Sequence, residues 1–249
     1  MKTQITLLAS AFLMLTATSC KKGDGDPAFT VQSRKARISG QWTLVSIDSD
    51  WSNASNGQIY SSGSITATAT ELNMSQEYTT TTKSKETAKL NEYSITINKD
   101  GTWSSVIDKS FEHVYENDEY INTNTGSSKL VESGIWSFVN KSKGEYENKE
   151  RVLFNVLASE ETFGEGTAKE VHKTDPDNPI LSNSLPYVDS KTFASGANTK
   201  IYDLVTLASK EMEWQLVKNQ TNANYQQANP SGIYEGAYVF SETITWKAR

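Results

Sequence analysis

Residues 92–108 read EYSITINKDGTWSSVID. Two runs of alternating apolar side chains flank Asn98-Lys99-Asp100-Gly101, the pattern of a β-hairpin. A two-residue Asp100-Gly101 turn would pair Ile97 with Ser104 and Asn98 with Trp103, setting both apolar residues against polar ones. A type I turn over 98–101, with Gly101 in a G1 bulge, instead pairs Ile97 with Trp103, Ile95 with Ser105 and Tyr93 with Ile107. A one-residue slip exchanges the two faces of a strand. The second register gathers more apolar groups on one face and is the one expected.

The same grammar runs outward in both directions. QWTLVSID (41–48) reads as the first strand, with Trp42, Leu44 and Ser46 on one face, and 51–63 as a polar loop. In 64–78, Ile65, Ala67 and Ala69 have one parity and Leu72, Met74 and Tyr78 the other, which predicts one strand with a β-bulge near Glu71. SKETAKLNE (84–92) has the composition of a turn or two of helix, and VQSRKARIS (31–39) that of a short helix across a barrel end or a continuing tether. Phe111, His113 and Tyr115 extend a strand, 116–128 reads as a polar turn region, 129–140 as a strand and 141–149 as a charged turn. ERVLFNVL (150–157) is apolar on both faces, 200–218 reads as a hairpin, and 236–246 as a last strand with Tyr238, Phe240, Ile244 and Trp246 on one face. Residues 164–199, with Pro176, Pro179 and Pro186, show little periodicity and read as a long flap. About eight to ten strands joined mostly by short turns predict an all-β, up-and-down antiparallel β-barrel.

The N-terminus carries an address. A positive start, an apolar run from Ile5 to Leu15 and the small residues Ala17, Thr18 and Ser19 have the layout of a signal peptide over 1–19. The run is shorter than the ~20 residues of a membrane-spanning helix. Cys20 is the only cysteine, so it has no disulfide partner within the chain. Leu15 with Ala17-Thr18-Ser19-Cys20 resembles the lipobox of bacterial lipoproteins. That resemblance implies cleavage before Cys20, a lipid on its sulfur and an anchored chain. Residues 20–36 then read as the lipidated cysteine and a flexible tether, and 37–249 as one barrel domain. In that family an Asp after the cysteine often marks inner-membrane retention. Lys21 stands there, which favours the outer membrane, with the cell surface slightly preferred over the periplasmic face.

At Gly40-Gln41-Trp42 the strand pattern meets a second family. ARISGQWTLVSI resembles the opening of lipocalin-like domains, in which a Gly-x-Trp begins the first strand and the Trp plugs the closed end. INKDGTW, GIWSF and YDLVTLASKEMEWQLV resemble the hairpins of bacterial lipocalin-like lipoproteins. The resemblance implies structural roles at the barrel end for Gly40 and Trp42, with Arg249 or Lys247 packed across the indole by cation–π contact. It also implies a small apolar or amphipathic ligand. A second Gly-x-Trp stands at Gly134-Ile135-Trp136, and the Thr-Asp-Tyr motif of strict lipocalins is replaced by Tyr202-Asp203.

Chemistry in the rest of the chain is sparse. The net charge is −6 with no basic stripe, which gives nucleic acid no footprint. The two histidines, His113 and His172, lie far apart in the chain, and the carboxylates of EHVYENDE (112–119) read as a solvated face, so neither a metal nor another cofactor is expected. No nucleophile elbow or dinucleotide loop is present, and a non-enzymatic protein is expected. Glu242 falls between Phe240 and Ile244 on the apolar parity of the last strand. It is either a polar anchor inside a ligand cavity or a group in water at a barrel end. Trp103, Trp136, Trp214, Tyr238 and Phe240 either line such a cavity with it or simply pack a core. Two functions follow: a lipid-anchored barrel that binds a small ligand, or a surface module that binds glycan or protein through exposed aromatics and the flap.

Overall fold

The computed structural model of the chain describes residues 33–55, 58–78, 81–139, 150–225 and 234–249. The signal-peptide region, Cys20, the start of the tether and the expected charged turn at 141–149 lie outside the described residues. Among the described residues, one short helix, α1 (Arg34–Ile38), precedes thirteen strands joined in one antiparallel sheet. These are β1 (Gly40–Ser55), β2 (Gln58–Thr68), β3 (Glu71–Tyr78), β4 (Lys83–Ile97), β5 (Thr102–Glu116), β6 (Tyr120–Val139), β7 (Arg151–Phe163), β8 (Gly166–His172), β9 (Asp175–Ser184), β10 (Tyr187–Thr192), β11 (Thr199–Leu207), β12 (Glu211–Tyr225) and β13 (Tyr234–Ala248).

The sheet closes on itself. Its order runs β7-β11-β12-β13-β1-β2-β3-β4-β5-β6, and β6 returns to β7, giving a ten-stranded β-barrel. At one end the circuit is shorter. Gly40–Thr43 of β1 pair directly with Ser94–Ile97 of β4, so the β2–β3 hairpin is bypassed and β1, β4, β5, β6, β7, β11, β12 and β13 form the ring there. From Ser46 onward β1 pairs with β2 instead. The barrel is therefore narrow at the end that holds the β4–β5 turn and wider above. Beyond the ring, β8 and β9 extend from the upper half of β6, and β10 lies along the upper half of β7.

The hairpin at 92–108 has the expected register. Ile97 pairs with Trp103, Ile95 with Ser105 and Tyr93 with Ile107. Gly101 has φ 96°, and its N–H donates to the Asn98 carbonyl at 3.2 Å. Of the two readings of 31–39, a short helix or a continuing tether, the helix is the one present, over Arg34–Ile38. Ser33 caps it by accepting from the Ala36 N–H at 3.1 Å, and the fully buried Ile38 closes the narrow end. Trp42 is 2 % exposed and donates its indole N–H to the Ile38 carbonyl at 2.8 Å. The plug is thus a helix tied to the first strand's tryptophan. Arg37, not a C-terminal base, is the buried cation here, donating to the Leu207 carbonyl. Arg249 instead binds Gln41 through its backbone and points an exposed guanidinium to 3.9 Å from Glu92.

Six local expectations are corrected. The chain does not bulge at Glu71 but reverses between Thr68 and Glu71, and the Thr68 hydroxyl accepts from the Thr70 and Glu71 N–H groups. The reversal puts both parities of 64–78 on the inward face, as the bulge was invoked to do. SKETAKLNE is strand, because its neighbours β3 and β5 take up both edges of its backbone. The first strand itself bulges between Leu44 and Ser46, so Ile47 and Ser49 face inward and Ser46 does not. It also continues to Ser55, because the Trp51 indole packs where a side chain at Gly63, its partner on β2, would stand. Residues 116–128 and 164–199 are mostly strand as well, so the supposed flap is β8, β9 and β10 with short connections. Pro176 and Pro179 fit in β9 because they fall between Asp175 and Ile180, where the register with β8 is irregular, on the terminal strand of the sheet.

The second Gly-x-Trp has a packing reason. A Cβ on Gly134 would stand 1.9 Å from the Asn155 carbonyl oxygen, which also accepts from the Trp103 indole at 3.4 Å. Asn155 in turn holds the 193–198 connection, bonding Ser195 at 3.0 Å and the Gly196 N–H at 3.1 Å. Gly134→Ala should lower the stability of the barrel by about 2–3 kcal/mol, as overpacking against backbone does. Gly101→Ala, which only places a side chain at positive φ, should lower it by about 1 kcal/mol. Urea midpoints followed by tryptophan fluorescence rank the two. Equal, small losses would show that the β6–β7 contact yields easily.

Candidate functional site

Inside the barrel the core sits low. Trp42, Ile97, Leu207 and Met212 fill the narrow end and are all 2 % exposed or less. Above them Phe154, Tyr202, Trp214, Trp246 and Tyr93 form a chain of ring contacts. Centroid distances are 5.0 Å for Phe154–Trp214, 5.2 Å for Tyr202–Trp214, 5.1 Å for Trp214–Trp246 and 5.4 Å for Tyr93–Trp246. Such offset and edge contacts fix ring orientation beyond what area burial alone would do.

These rings line a half-open cavity of about 110 Å³, bordered also by Ile95, Trp103, Ser105, Ile107, Leu130, Glu132, Lys200 and Ile244. A void of roughly 150 Å³ accepts benzene, and whole-ligand pockets run to ~300–1,000 Å³. The cavity therefore takes a fragment of a ligand and not a large apolar molecule. Any larger part would lie above it, where β1 to β6 and β13 present their inward residues around the wider mouth.

Polar groups ring the aromatic chamber. Lys200 donates to Glu132 at 2.9 Å, with side-chain exposures of 40 % and 14 %. Glu242 stands one inward position above Ile244 on β13 and takes a hydrogen bond from the Tyr202 hydroxyl. Burial, followed by the charge of Glu242, holds the hydroxyls of Tyr93 and Tyr202 well above the ordinary tyrosine value of 10.0. Higher on the inward face Lys109 pairs with Glu86. A low-dielectric interior strengthens each of these contacts and raises the cost of leaving any member without a partner.

The expected site residues separate into groups. Trp103 and Trp214 border the cavity, and Glu242 touches its Tyr202 wall. Trp136 does not border it. Its indole donates to the Asn98 carbonyl at 2.8 Å, and its ring packs edge-on against Phe138, so it belongs to the narrow end. Phe240 is half-buried and pairs with Trp51 above the cavity. Tyr238 pairs with Asn53 and Gln220 through its backbone, and its side chain lies outside the described residues. Gly40 and Trp42 are at the narrow end, and Arg249 is at its outer rim. Sequence reasoning missed Tyr93, Glu132, Lys200, Tyr202 and Trp246 as neighbours of one space. The available signal was parity. Glu132 alternates with Leu130, Gly134 and Trp136, and Lys200 with Tyr202 and Leu204, so each is a charge on an otherwise apolar face.

Among the described residues no group of three or more His, Cys, Asp and Glu side chains is placed to hold a metal ion. No described helix is long and apolar enough to cross a membrane. No family model, no curated protein and no solved structure matches the chain.

The two buried tyrosines give a pH signature. Below pH 10 both are neutral in the folded and the unfolded chain. Above it the unfolded chain releases their protons while the folded chain keeps them, so stability falls with rising pH. The expected loss is about 1.4 kcal/mol per pH unit for each residue. In an alkaline absorbance titration, Tyr93 and Tyr202 should ionise only as the barrel unfolds, after other tyrosines of the 11 in the chain. Tyr202→Phe should remove one of the late ionisations. A titration in which every tyrosine ionises near its ordinary value while the fold persists would contradict the burial.

Proposed function

We propose that the protein is a lipid-anchored lipoprotein of the bacterial cell envelope whose lipocalin-like barrel binds a small amphipathic ligand. The observation that carries the ligand reading is the aromatic chamber with Glu242, Glu132 and Lys200 at its polar side. A filled core would need neither the void nor three charged groups on its inward face. Their presence favours an amphipathic occupant over a purely apolar one. The anchor reading rests on Cys20 and its small-residue approach. Two or more acyl chains hold a protein stably on a membrane where one holds it marginally. Lys21 supports the outer membrane as the destination.

One observation favours a second reading, in which the barrel is a scaffold for contact with protein or glycan. Ile180, Leu181, Leu185, Tyr187 and Val188 on and between β9 and β10 are 55–81 % exposed. Clustered exposed apolar side chains often mark contact surfaces.

Two measurements test the proposal. Cys20→Ala should abolish incorporation of labelled fatty acid and release the chain from membranes. Persistent labelling would refute the anchor. Native mass spectrometry of the full-length chain, gently released from bacterial membranes, should show a reproducible added mass that is lost in Glu242→Leu. A bare chain that instead retains an envelope protein or glycan, and loses it when Leu181 and Leu185 become Ser, would move the function to the exposed strands.

A further inference from the structure

Charges that are mixed along the chain are sorted by the fold onto opposite ends of the barrel. At the narrow end the exposed cations are Lys35 on α1, Lys99 in the β4–β5 turn, Lys210 in the β11–β12 turn, and Lys247 and Arg249 at the end of β13. Lys35 is close enough to the β4–β5 turn for its charge to act on Asp100. Among the described residues the four lysines make no ion pair. Fewer carboxylates are exposed there. Glu92 stands by Arg249, Glu211 is the ladder partner of Lys247, and Asp100 is turned back onto Thr102, taking its N–H at 2.9 Å and its hydroxyl at 2.7 Å.

The mouth has the reverse balance. Around the β3–β4, β5–β6 and β8–β9 turns, Glu77, Glu116, Asp118, Glu119, Asp175 and Asp177 stand against Lys83 and Lys173. Lys83 pairs with Glu77 at 3.5 Å and Lys173 with Glu116 at 2.8 Å, which leaves the other four carboxylates in excess. A negatively charged surface therefore attracts one end of the molecule and repels the other. The chain enters the described structure at Ser33, on the narrow end, with twelve residues between it and Cys20. At about 3.5 Å per residue they span at most about 40 Å. An anchor at Cys20 keeps the narrow end within reach of the lipid surface, and a tethered contact needs only a few charges to set its orientation.

We propose that the basic narrow end docks on an anionic phospholipid surface and turns the mouth of the barrel away from the membrane. This rests on the reading of the protein as lipid-anchored through Cys20. Lysines held within a Debye length, ~8 Å, of anionic headgroups are attracted to them with little screening. In that orientation the chamber exchanges its contents with the aqueous side and not with the bilayer. The exposed apolar residues of β9 and β10 also point away from the lipid, because β8 and β9 extend from the upper half of β6.

The test places the full-length chain, purified from bacterial membranes, in vesicles of phosphatidylcholine alone or mixed equally with phosphatidylglycerol. A donor dye is attached through Ser209→Cys at the narrow end or Thr174→Cys at the mouth, both exposed positions. Energy transfer to acceptor lipids reports which end lies nearer the bilayer. Phosphatidylglycerol should raise the transfer from position 209 relative to 174, and high salt should reverse the gain. Lys35→Gln, Lys99→Gln and Lys210→Gln should each lower the ratio of narrow-end-down to mouth-down molecules about fivefold. Lys169→Gln on β8, with the same loss of charge, should leave it unchanged. A ratio that is the same on both kinds of vesicle overturns the proposal and leaves the anchor standing. So does a narrow end that responds to soluble polyglutamate and not to phosphatidylglycerol, which would make it a face for an acidic protein. Flotation separates the two readings. A chain without lipid on Cys20 that floats with the anionic vesicles alone keeps the basic face and loses the anchor, and a chain that floats with neither loses both.

Discussion

The pairing of Gly40–Thr43 with Ser94–Ile97 organises the whole barrel. A strand edge has one row of donors and acceptors, so β1 can serve β4 or β2 at a given height, never both. It serves β4 for four residues, bulges between Leu44 and Ser46, and then turns to β2. That switch makes one end of the barrel narrow enough to be filled by side chains and the other wide enough to admit something else. It also sets the inward parity of β1. Trp42 and Leu44 fill the floor below the bulge, while Ile47, Ser49 and Trp51 face the mouth above it.

The floor is held by contacts that bring backbone close to side chains. The Trp42 indole ties α1 to β1, Arg37 ties α1 to β11, and Gly134 lets the Asn155 carbonyl reach toward Trp103. Above this floor the interior changes character. Aromatic rings still supply the packing, but Glu132, Lys200, Glu242 and the tyrosine hydroxyls stand among them. Charges placed on the inward face of a barrel cost desolvation unless they are paired, and most of these are paired.

Legibility followed the range of the forces involved. The 92–108 hairpin was readable because turn chemistry and alternation act over a few residues, and only one register put Trp103 opposite Ile97. The reversal at Thr68–Glu71 was not readable, because it lacks Gly, Pro, Asn and Asp and relies on one threonine hydroxyl. Residues 84–92 looked helical because Glu, Lys and Ala favour helix locally, but two neighbouring strands outweigh that preference. Residues 164–199 looked like a flap because exposed edge strands tolerate prolines and need no apolar alternation.

The sequence by itself determined an all-β barrel and the inward parity of Glu242, because each depends on period-two alternation or short-range turn geometry. Only the tertiary structure decided that β1 changes partner, that Trp136 belongs to the floor while Trp214 borders a chamber, and that Tyr93, Glu132, Lys200 and Trp246 meet there. Those residues come from four strands distant in the chain. What brings them together is the closure of the ring and the stagger of its strands, which no local pattern encodes.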